Sequence, residues 1–201
     1  MKIDFDGLPA REAYGWMSGT IFPRPIAWVS SISAAGHTNL APFSYFQAIA
    51  SNPPVLMFVP ANNRHGAKKD TLRNIEEVPE FVVNLVPYVL ADAMNNTAAP
   101  LPHHESEFEK FGIASLPSER VRPPRVAASP VAFECALHSI VPIGVGPGGT
   151  HVVFGRILLA HLSDDILGPD GAPDPAKLDL IGRMGGDWYT RTTERFVVER
   201  P

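Results

Sequence analysis

Cysteine is nearly absent from this chain, because Cys135 is the only one in 201 residues. A lone cysteine excludes an intramolecular disulfide and any metal site that needs several thiolate ligands. In the segment VAFECALHSIV, Cys135 shares the odd positions with Val131, Phe133 and Leu137. This period of two predicts one apolar strand face. We therefore expect Cys135 to be a small core residue and not a reactive thiol.

Long apolar runs and an excess of positive charge are missing too. No run is long enough to cross a membrane, and the first residues, MKIDFDGLPAREAYGW, contain no apolar signal segment. The formal net charge of −4 disfavours a surface that follows the phosphates of nucleic acid. We therefore expect a cytoplasmic protein that binds neither membranes nor nucleic acids.

Proline and glycine are abundant, with 21 and 16 residues spread along the chain. They separate short apolar runs at residues 55–60 and 81–86 and two long alternating segments at residues 131–141 and 151–161. Such segments predict strands, and they outnumber the predicted helices. No internal repeat or change of composition divides the sequence. We expect one domain over residues 1–201, a mainly β and mostly antiparallel barrel with a few short helices.

Three short helices are predicted between these strands. Apolar residues three apart in the segment AKKDTLRNIEEV indicate the first, which Asp70 or Thr71 can cap and Pro79 ends. The second begins at a proline and covers residues 87–94. The third begins at Ser106, where the sequence SEFE has the form of a capping box.

Two motifs suggest chemistry that their context does not support. Residues 144–149 read GVGPGG, which matches the dinucleotide-binding pattern GxGxxG. That pattern needs a following helix whose amides hold the pyrophosphate, and here an alternating strand follows, so we predict a hairpin loop. His103, His104 and Glu105 have no second cluster at zinc spacing. We predict a solvated loop there and no metal site.

The predicted hairpin at residues 22–46, FPRPIAWVSSISAAGHTNLAPFSYF, is unusually rich in polar groups. Two serines lie in the middle of its first strand, and its second strand mixes an asparagine and a serine with aromatic residues. In an ordinary sheet such groups point to solvent, whereas beside a binding site they face a polar ligand. The hairpin alone leaves both interpretations open.

The segment RHGAKKDT at residues 64–71 places three cations and a hydroxyl at a predicted helix start. Backbone amides and the helix dipole favour an anion at such a place. Equally, Asp70 and Thr71 can cap the helix while the lysines stay solvated. This segment alone does not choose between the two interpretations.

Taken in order, these segments resemble the flavin reductase-like family of FMN-binding split β-barrels, which includes flavoredoxins and the reductase components of two-component monooxygenases. The resemblance runs from about residue 14 to the C-terminus. Its carriers are PRPIAWVS at residues 23–30, NLAPFS at 39–44, NPP at 52–54, KDT at 69–71 with NI at 74–75, EFVVN at 80–84, HVVFG at 151–155, and GRMGG at 182–186 before Tyr189. The resemblance implies an antiparallel, Greek-key-like split barrel and a homodimer with one FMN per subunit at or near the dimer interface.

The resemblance also implies where FMN is held. The first strand would lie beside the isoalloxazine ring or the ribityl chain and the second would line the same cleft, which gives Trp28, Val29, Ser30, Ser31, Asn39, Ala41, Pro42, Phe43 and Ser44 as site residues. The phosphate would lie at Lys68, Lys69 and Thr71.

Four further residues complete the predicted site. Arg24 is a second candidate for the phosphate, or else a surface cation between two prolines. His151 faces the flavin or the nicotinamide, or has only a structural role. Arg183 and Tyr189 match the C-terminal motif and would reach a cofactor site, in a subunit that the sequence does not specify.

The implied activity is transfer of hydride from NADH or NADPH to FMN, with electrons passed to an acceptor or a partner monooxygenase. Because the cofactor carries this chemistry, no residue is assigned a catalytic role. One alternative is a non-enzymatic FMN-binding electron-transfer protein. Another is a related barrel that binds haem, for which His65, His138, His151 and His161 are available but lie in no haem motif.

Overall fold

The computed structural model describes residues 1–200, and most of its regular structure is strand. The strands are β1 (Arg24–Pro25), β2 (Ala27–Ile32), β3 (Thr38–Phe43), β4 (Phe46–Ser51), β5 (Pro54–Phe58), β6 (Glu80–Asn84), β7 (Ser115–Leu116), β8 (Arg125–Val126), β9 (Val131–Ile143), β10 (Thr150–Leu162), β11 (Ile181–Arg183) and β12 (Tyr189–Arg191). The α-helices are α1 (Ala10–Thr20), α2 (Asp70–Glu77), α3 (Ala91–Asn96), α4 (Glu107–Lys110) and α5 (Pro175–Leu178), and single 3₁₀ turns cover Tyr88–Leu90 and Asp164–Ile166.

Seven strands form one antiparallel sheet in the order β3-β2-β6-β9-β10-β5-β4. Strands β9 and β10 have 13 residues each, and the glycine-rich residues 144–149 join them. That segment is therefore a hairpin loop, as predicted. The polar hairpin of residues 22–46 supplies β2 and the end strand β3. Strands β1, β11 and β12 form a separate small sheet.

Aromatic rings fill the core beside the large sheet. The ring centroid of Phe58 lies 5.1 Å from that of Phe43 and 5.3 Å from that of Phe81. A Cβ atom at Gly155 would overlap Cζ of Phe81, so glycine at this position makes room for the ring. Cys135 lies in the same core with no exposed surface, which confirms its predicted place, and burial raises the pKa of its thiol.

Two helix starts differ from the prediction. Lys69 is the N-cap of α2, and neither Asp70 nor Thr71 caps it, because the hydroxyl of Thr71 is bonded to β3. Ser106 does precede α4, but it caps no helix amide and its hydroxyl lies 2.6 Å from that of Thr38. In both places a tertiary contact uses the hydroxyl that a local cap would need.

Helix α1 forms where the sequence indicated only an approach segment. Ser18 is its only buried residue, while Trp16 and Met17 are each 39% exposed. The helix therefore has no buried apolar stripe from which a period of 3.6 could be detected. Its position is held from outside, because Arg24 donates hydrogen bonds to the carbonyl oxygens of Ser18 and Ile21. No helix in residues 1–200 has the length and apolarity that a membrane span requires.

Candidate functional site

A cleft with two compartments runs along strand β3. The first has a volume of about 380 Å³ and lies between β3, the start of α2 and residues 97–107. The second, of about 220 Å³, lies between the end of β3, helix α3 and the C-terminal strands. Pro42 and Ala98 line both compartments. We therefore treat the two as one cavity, the β3 cleft, within the size range of small-molecule sites.

The β3 cleft brings together predicted site residues that are far apart in the sequence. The first compartment is lined by Asn39, Ala41, Pro42, Lys68, Lys69 and Thr71. The second compartment is lined by Pro42, Ser44, Arg183 and Tyr189. Phe43 is 6% exposed and belongs to the core, with its ring 5.6 Å from the Lys69 ammonium. The hairpin, the α2 start and the C-terminal motif thus meet at one cleft.

The two adjacent lysines have different surroundings. The Lys68 ammonium binds both carboxylate oxygens of Glu76, at 2.6 and 2.8 Å. Lys69 has no carboxylate partner within residues 1–200, and its ammonium lies over the Phe43 ring. Desolvation in the cleft lowers the pKa of Lys69. Lys69 is therefore the cation of this pair that is available to an anion in the cleft.

The start of α2 adds hydrogen-bond donors beside Lys69. No side chain caps this helix, so the amides of Asp70 and Thr71, two residues that line the first compartment, have no intrahelical acceptor. The Thr71 hydroxyl oxygen accepts a 2.8 Å bond from Nδ2 of Asn39. Its own hydrogen is then free to donate to an anion. A cation, two amides and a hydroxyl make this end of the cleft suitable for phosphate.

Buried amide side chains hold α2 against the hairpin. Asn39 bonds Thr71, and Nδ2 of Asn74 donates a 3.1 Å bond to the hydroxyl of Ser31. On its other side, Oδ1 of Asn74 lies 3.0 Å from Nε2 of His103. Most hydroxyl and amide side chains of the hairpin therefore neither face solvent nor remain free to contact a ligand. They fix the α2 start relative to β3.

The structure corrects the prediction for the first strand of the hairpin. Trp28, Val29, Ser30 and Ser31 have no exposed surface, because β2 lies inside the sheet between β3 and β6, and none of them lines the β3 cleft. Their polar atoms have protein partners. Trp28 donates to the Thr97 hydroxyl at 2.9 Å, Ser30 donates to the carbonyl of Pro124, and Ser31 accepts from Asn74. The bond from Trp28 fixes the cleft wall that begins at residue 97.

Arg24 and His151 also lie outside the β3 cleft. Arg24 is 6% exposed, so it is not the surface cation of the alternative interpretation, and its guanidinium donates to the carbonyls of Ser18, Ile21 and Met184. His151 is half-buried at the start of β10, and its Nδ1 is buried without a partner in residues 1–200. Arg24 therefore has a structural role in this chain, and the structure does not bring His151 to the cleft.

Sequence reasoning missed the wall opposite β3. Residues 97–101, His103 and Glu107 line the first compartment, and Asn95 lines the second. Glu107 is 5% exposed and accepts a 2.8 Å bond from the Leu40 amide, while desolvation raises its pKa against the lowering effect of that bond. The capping-box pattern was the only signal at Glu107, and it indicated a helix start. Within residues 1–200, no three histidine, cysteine or acidic side chains form a metal-binding group.

The second compartment is bounded by the C-terminal motif. The Arg183 guanidinium lies 4.5 Å from the ring centroid of Tyr189 and donates to the carbonyl of Gly186. The Tyr189 hydroxyl donates a 3.4 Å bond to Oδ1 of Asn95. This compartment combines aromatic and apolar walls with one cation. The other end of the cleft, at the start of α2, has the donors that a phosphate needs. The whole cleft is therefore suited to a planar ligand that carries an anionic tail.

Known proteins are similar to this chain over nearly its whole length. A protein of Halalkalibacterium halodurans is 37% identical over 204 residues, or 100% of this chain and 97% of that protein. Nitrilotriacetate monooxygenase component B from Bacillus cereus is 32% identical, with a TM-score of 0.93 over 98% of both chains. Pseudomonas fluorescens 2-nitrobenzoate 2-nitroreductase is 31% identical, with a TM-score of 0.89 over 100% of this chain and 96% of its own.

The family model for the flavin reductase like domain matches residues 17–173. The chain therefore belongs to the flavin reductase-like family, which confirms the resemblance inferred from the ordered motifs. Its fold is the split β-barrel of that family, with one large antiparallel sheet and a few short helices. The predicted fold class is thus confirmed as well.

Proposed function

We propose that this protein is an NAD(P)H-dependent FMN reductase that holds FMN in the β3 cleft. The observation that carries the proposal is the unpaired Lys69 at the uncapped start of α2, at one end of a cleft whose other end is aromatic. Phosphate needs the first feature and a flavin ring needs the second. Membership of the flavin reductase-like family supports the same ligand.

The residues of the cleft fit FMN part by part. Lys69, the amides of Asp70 and Thr71, and the Thr71 hydroxyl would bind the phosphate, since these are the free donors at the α2 start. Pro42 and Tyr189 would flank the ring in the second compartment and exclude water from it. Bound FMN supplies hydride acceptance from reduced nicotinamide and onward electron transfer. The chain's own task is to position the two ligands.

A partner monooxygenase is proposed as one recipient of the electrons. The proposal is supported by the name of the Bacillus cereus relative, which is a component of a monooxygenase. The Pseudomonas fluorescens nitroreductase is similar to this chain at nearly the same sequence identity, so sequence identity alone does not select the electron acceptor. A cytoplasmic location fits a protein that draws on the pools of NADH and NADPH.

We also propose a homodimer, with the partner seated on an apolar patch formed by α1, the residues after it and β4. Trp16, Met17, Ile21, Phe22 and Ile49 are between 39% and 59% exposed there. Met17 and Ile21 line one groove with Phe46 of β4, and exposed apolar side chains that meet in this way typically mark a protein interface. Sedimentation equilibrium should give a dimer, and Ile49→Asp should shift it toward monomer; a wild-type monomer at all concentrations would refute this proposal.

Spectroscopy and kinetics test the function directly. The purified protein, loaded with FMN and freed of excess, should show a flavin spectrum that NADH or NADPH bleaches under anaerobic conditions. A protein that binds FMN but is not reduced would be an electron carrier of the flavoredoxin type. A protein that fails to bind added FMN would contradict both assignments, and a Soret band would indicate haem. Nucleotide consumption with and without free flavin then shows whether FMN stays bound or exchanges.

A further inference from the structure

A second, larger cleft lies beside the C-terminal strand. Its volume is about 1,000 Å³, and its walls are the turn at Tyr88, the first turn of α3, and residues 189–194 of the C-terminal segment. We call it the tail cleft. Asn95 and Tyr189 line both the tail cleft and the second compartment of the β3 cleft. A ligand that reaches past these two residues from the proposed flavin site would enter the tail cleft.

The charges of the tail cleft are predominantly negative. Asp92, Asp187 and Glu194 line it, and Asp92 and Glu194 have no hydrogen-bond or ion-pair partner within residues 1–200. Asp187 lies 3.9 Å from Arg183, which stands at the boundary with the β3 cleft. Carboxylates without partners are free to accept hydrogen bonds from hydroxyl and amino groups.

The single arginine of the tail cleft is already paired. Arg191 donates to both carboxylate oxygens of Asp179, at 2.9 and 2.6 Å. Its guanidinium also lies 4.1 Å from the ring centroid of Tyr88. With its charge balanced by Asp179, Arg191 does not offset the three carboxylates that line the cleft. No other lysine or arginine of residues 1–200 lines it.

We infer that the tail cleft binds the adenosine end of the reducing nucleotide and that its carboxylates select NADH over NADPH. The inference rests on the proposed function and adds the identity of the reductant. In dinucleotide sites an acidic residue accepts hydrogen bonds from the ribose hydroxyls of NADH, whereas an arginine accommodates the extra phosphate of NADPH. Here unpartnered acids are present and no unpaired arginine is. The pyrophosphate that joins the two halves of the dinucleotide would pass Arg183, the cation at the boundary between the β3 cleft and the tail cleft.

Steady-state kinetics of the FMN-loaded protein test this selection. At low ionic strength, kcat/KM for NADH should exceed that for NADPH by at least about tenfold, because like charges brought together oppose binding. Asp92→Asn combined with Glu194→Gln should reduce this ratio at least about threefold, mainly through a lower KM for NADPH. Added salt should reduce the ratio of the wild type in the same direction.

Asp164→Asn combined with Asp165→Asn is the matched control. Both side chains are exposed and make no hydrogen bond within residues 1–200, so their replacement removes two negative charges, as the double variant does, without touching either cleft. The control should keep the wild-type preference. Equal use of both nucleotides by the wild type would overturn the inference, and so would an unchanged ratio in the double variant.

A binding measurement separates this inference from the proposed function. Titration of the FMN-loaded protein with 5′-AMP should shift the amide resonances of residues 189–194, and adenosine 2′,5′-bisphosphate should bind at least about tenfold more weakly. If neither NADH nor NADPH reduces bound FMN, the proposed reductase activity fails, while this titration still decides what the tail cleft binds. Shifts confined to other residues, or tighter binding of the bisphosphate, would overturn the inference.

Discussion

Replacement of Lys69 by alanine should weaken the binding of FMN much more than that of riboflavin, which lacks the phosphate. The Lys69 ammonium has no carboxylate partner in residues 1–200 and lies at the uncapped start of α2. A hydrogen bond to a charged group contributes about 1.5–3 kcal/mol. Since 1.4 kcal/mol is a factor of ten, the Kd for FMN should rise about 10- to 150-fold. The Kd for riboflavin should change less than about twofold.

Lys68→Ala is the control that the chain itself provides. It removes the same charge one residue away, but the Lys68 ammonium is held by Glu76 at 2.6 Å, and both side chains are more than a third exposed. An exposed ion pair contributes about 0–1 kcal/mol, so this variant should change the Kd for FMN less than about fivefold. Lys69→Arg should retain most of the affinity, because arginine keeps the charge and its donors.

Titration of flavin fluorescence against protein, at one fixed ionic strength, gives all of these constants. Riboflavin serves to separate loss of the phosphate contact from a change of cleft shape, since Lys69 also packs on the Phe43 ring. Equal weakening of FMN and riboflavin by Lys69→Ala would show that Lys69 is structural. An equal rise in the Kd for FMN in the Lys68 and Lys69 variants would show that the ion pair with Glu76 does not make Lys68 less available to the phosphate than Lys69.

Three further predictions concern stability and reactivity. Gly155→Ala should lower the free energy of unfolding by about 1–3 kcal/mol, seen as a fall in Tm, because the new Cβ would overlap the Phe81 ring. Gly15→Ala should not lower it, because a Cβ at Gly15 would meet open space. The Glu134 carboxylate is buried, and burial by itself raises its pKa. The carboxylate also accepts hydrogen bonds from the amides of Glu119 and Arg120 and from His161, and these bonds bring the net pKa below the ordinary 4.5. Its contribution is therefore complete above pH 4.5 and is lost as the pH falls through the lowered pKa of the folded protein. The stability difference between wild type and Glu134→Gln should shrink as the pH falls below 4.5 in urea titrations, and a constant difference would contradict this assignment. Cys135 should not react with a thiol reagent in the folded protein at neutral pH, because burial raises its pKa, and rapid labelling without unfolding would refute this.

The elements that depend on local pattern were predictable from the sequence. The alternation around Cys135 identified β9 and the core side of that strand, and the alternating residues after the glycine-rich segment identified a hairpin where a dinucleotide motif was formally present. Residues of the segment 39–44 and of the α2 start do meet at one cleft, where Asn39 and Thr71 are hydrogen-bonded, and FMN binding there stays a prediction. These predictions succeeded because strand period, turn chemistry and motif order are all written along the chain.

Predictions failed where a residue's environment is supplied by distant elements. Strand β2 was expected to face the ligand, but β6 covers its other edge, Ser30 donates to the carbonyl of Pro124 and Ser31 accepts from Asn74, so both serines are buried and paired. The period of a strand shows which residues share a face but not what lies against that face. Helix α1 was missed for a related reason, because its apolar residues remain exposed in the single chain.

The sequence by itself thus determined the family, the mainly β fold class and the presence of a basic helix start beside the NLAPFS strand. Only the tertiary structure decided that Lys69 and not Lys68 is available to an anion, because Glu76 in the last turn of α2 pairs with the Lys68 ammonium. Only the tertiary structure added Glu107 and residues 97–101 as the opposite wall, and it alone joined the C-terminal motif to an acidic tail cleft. Charge pairing and cavity walls depend on distances in space, and sequence separation does not encode those distances.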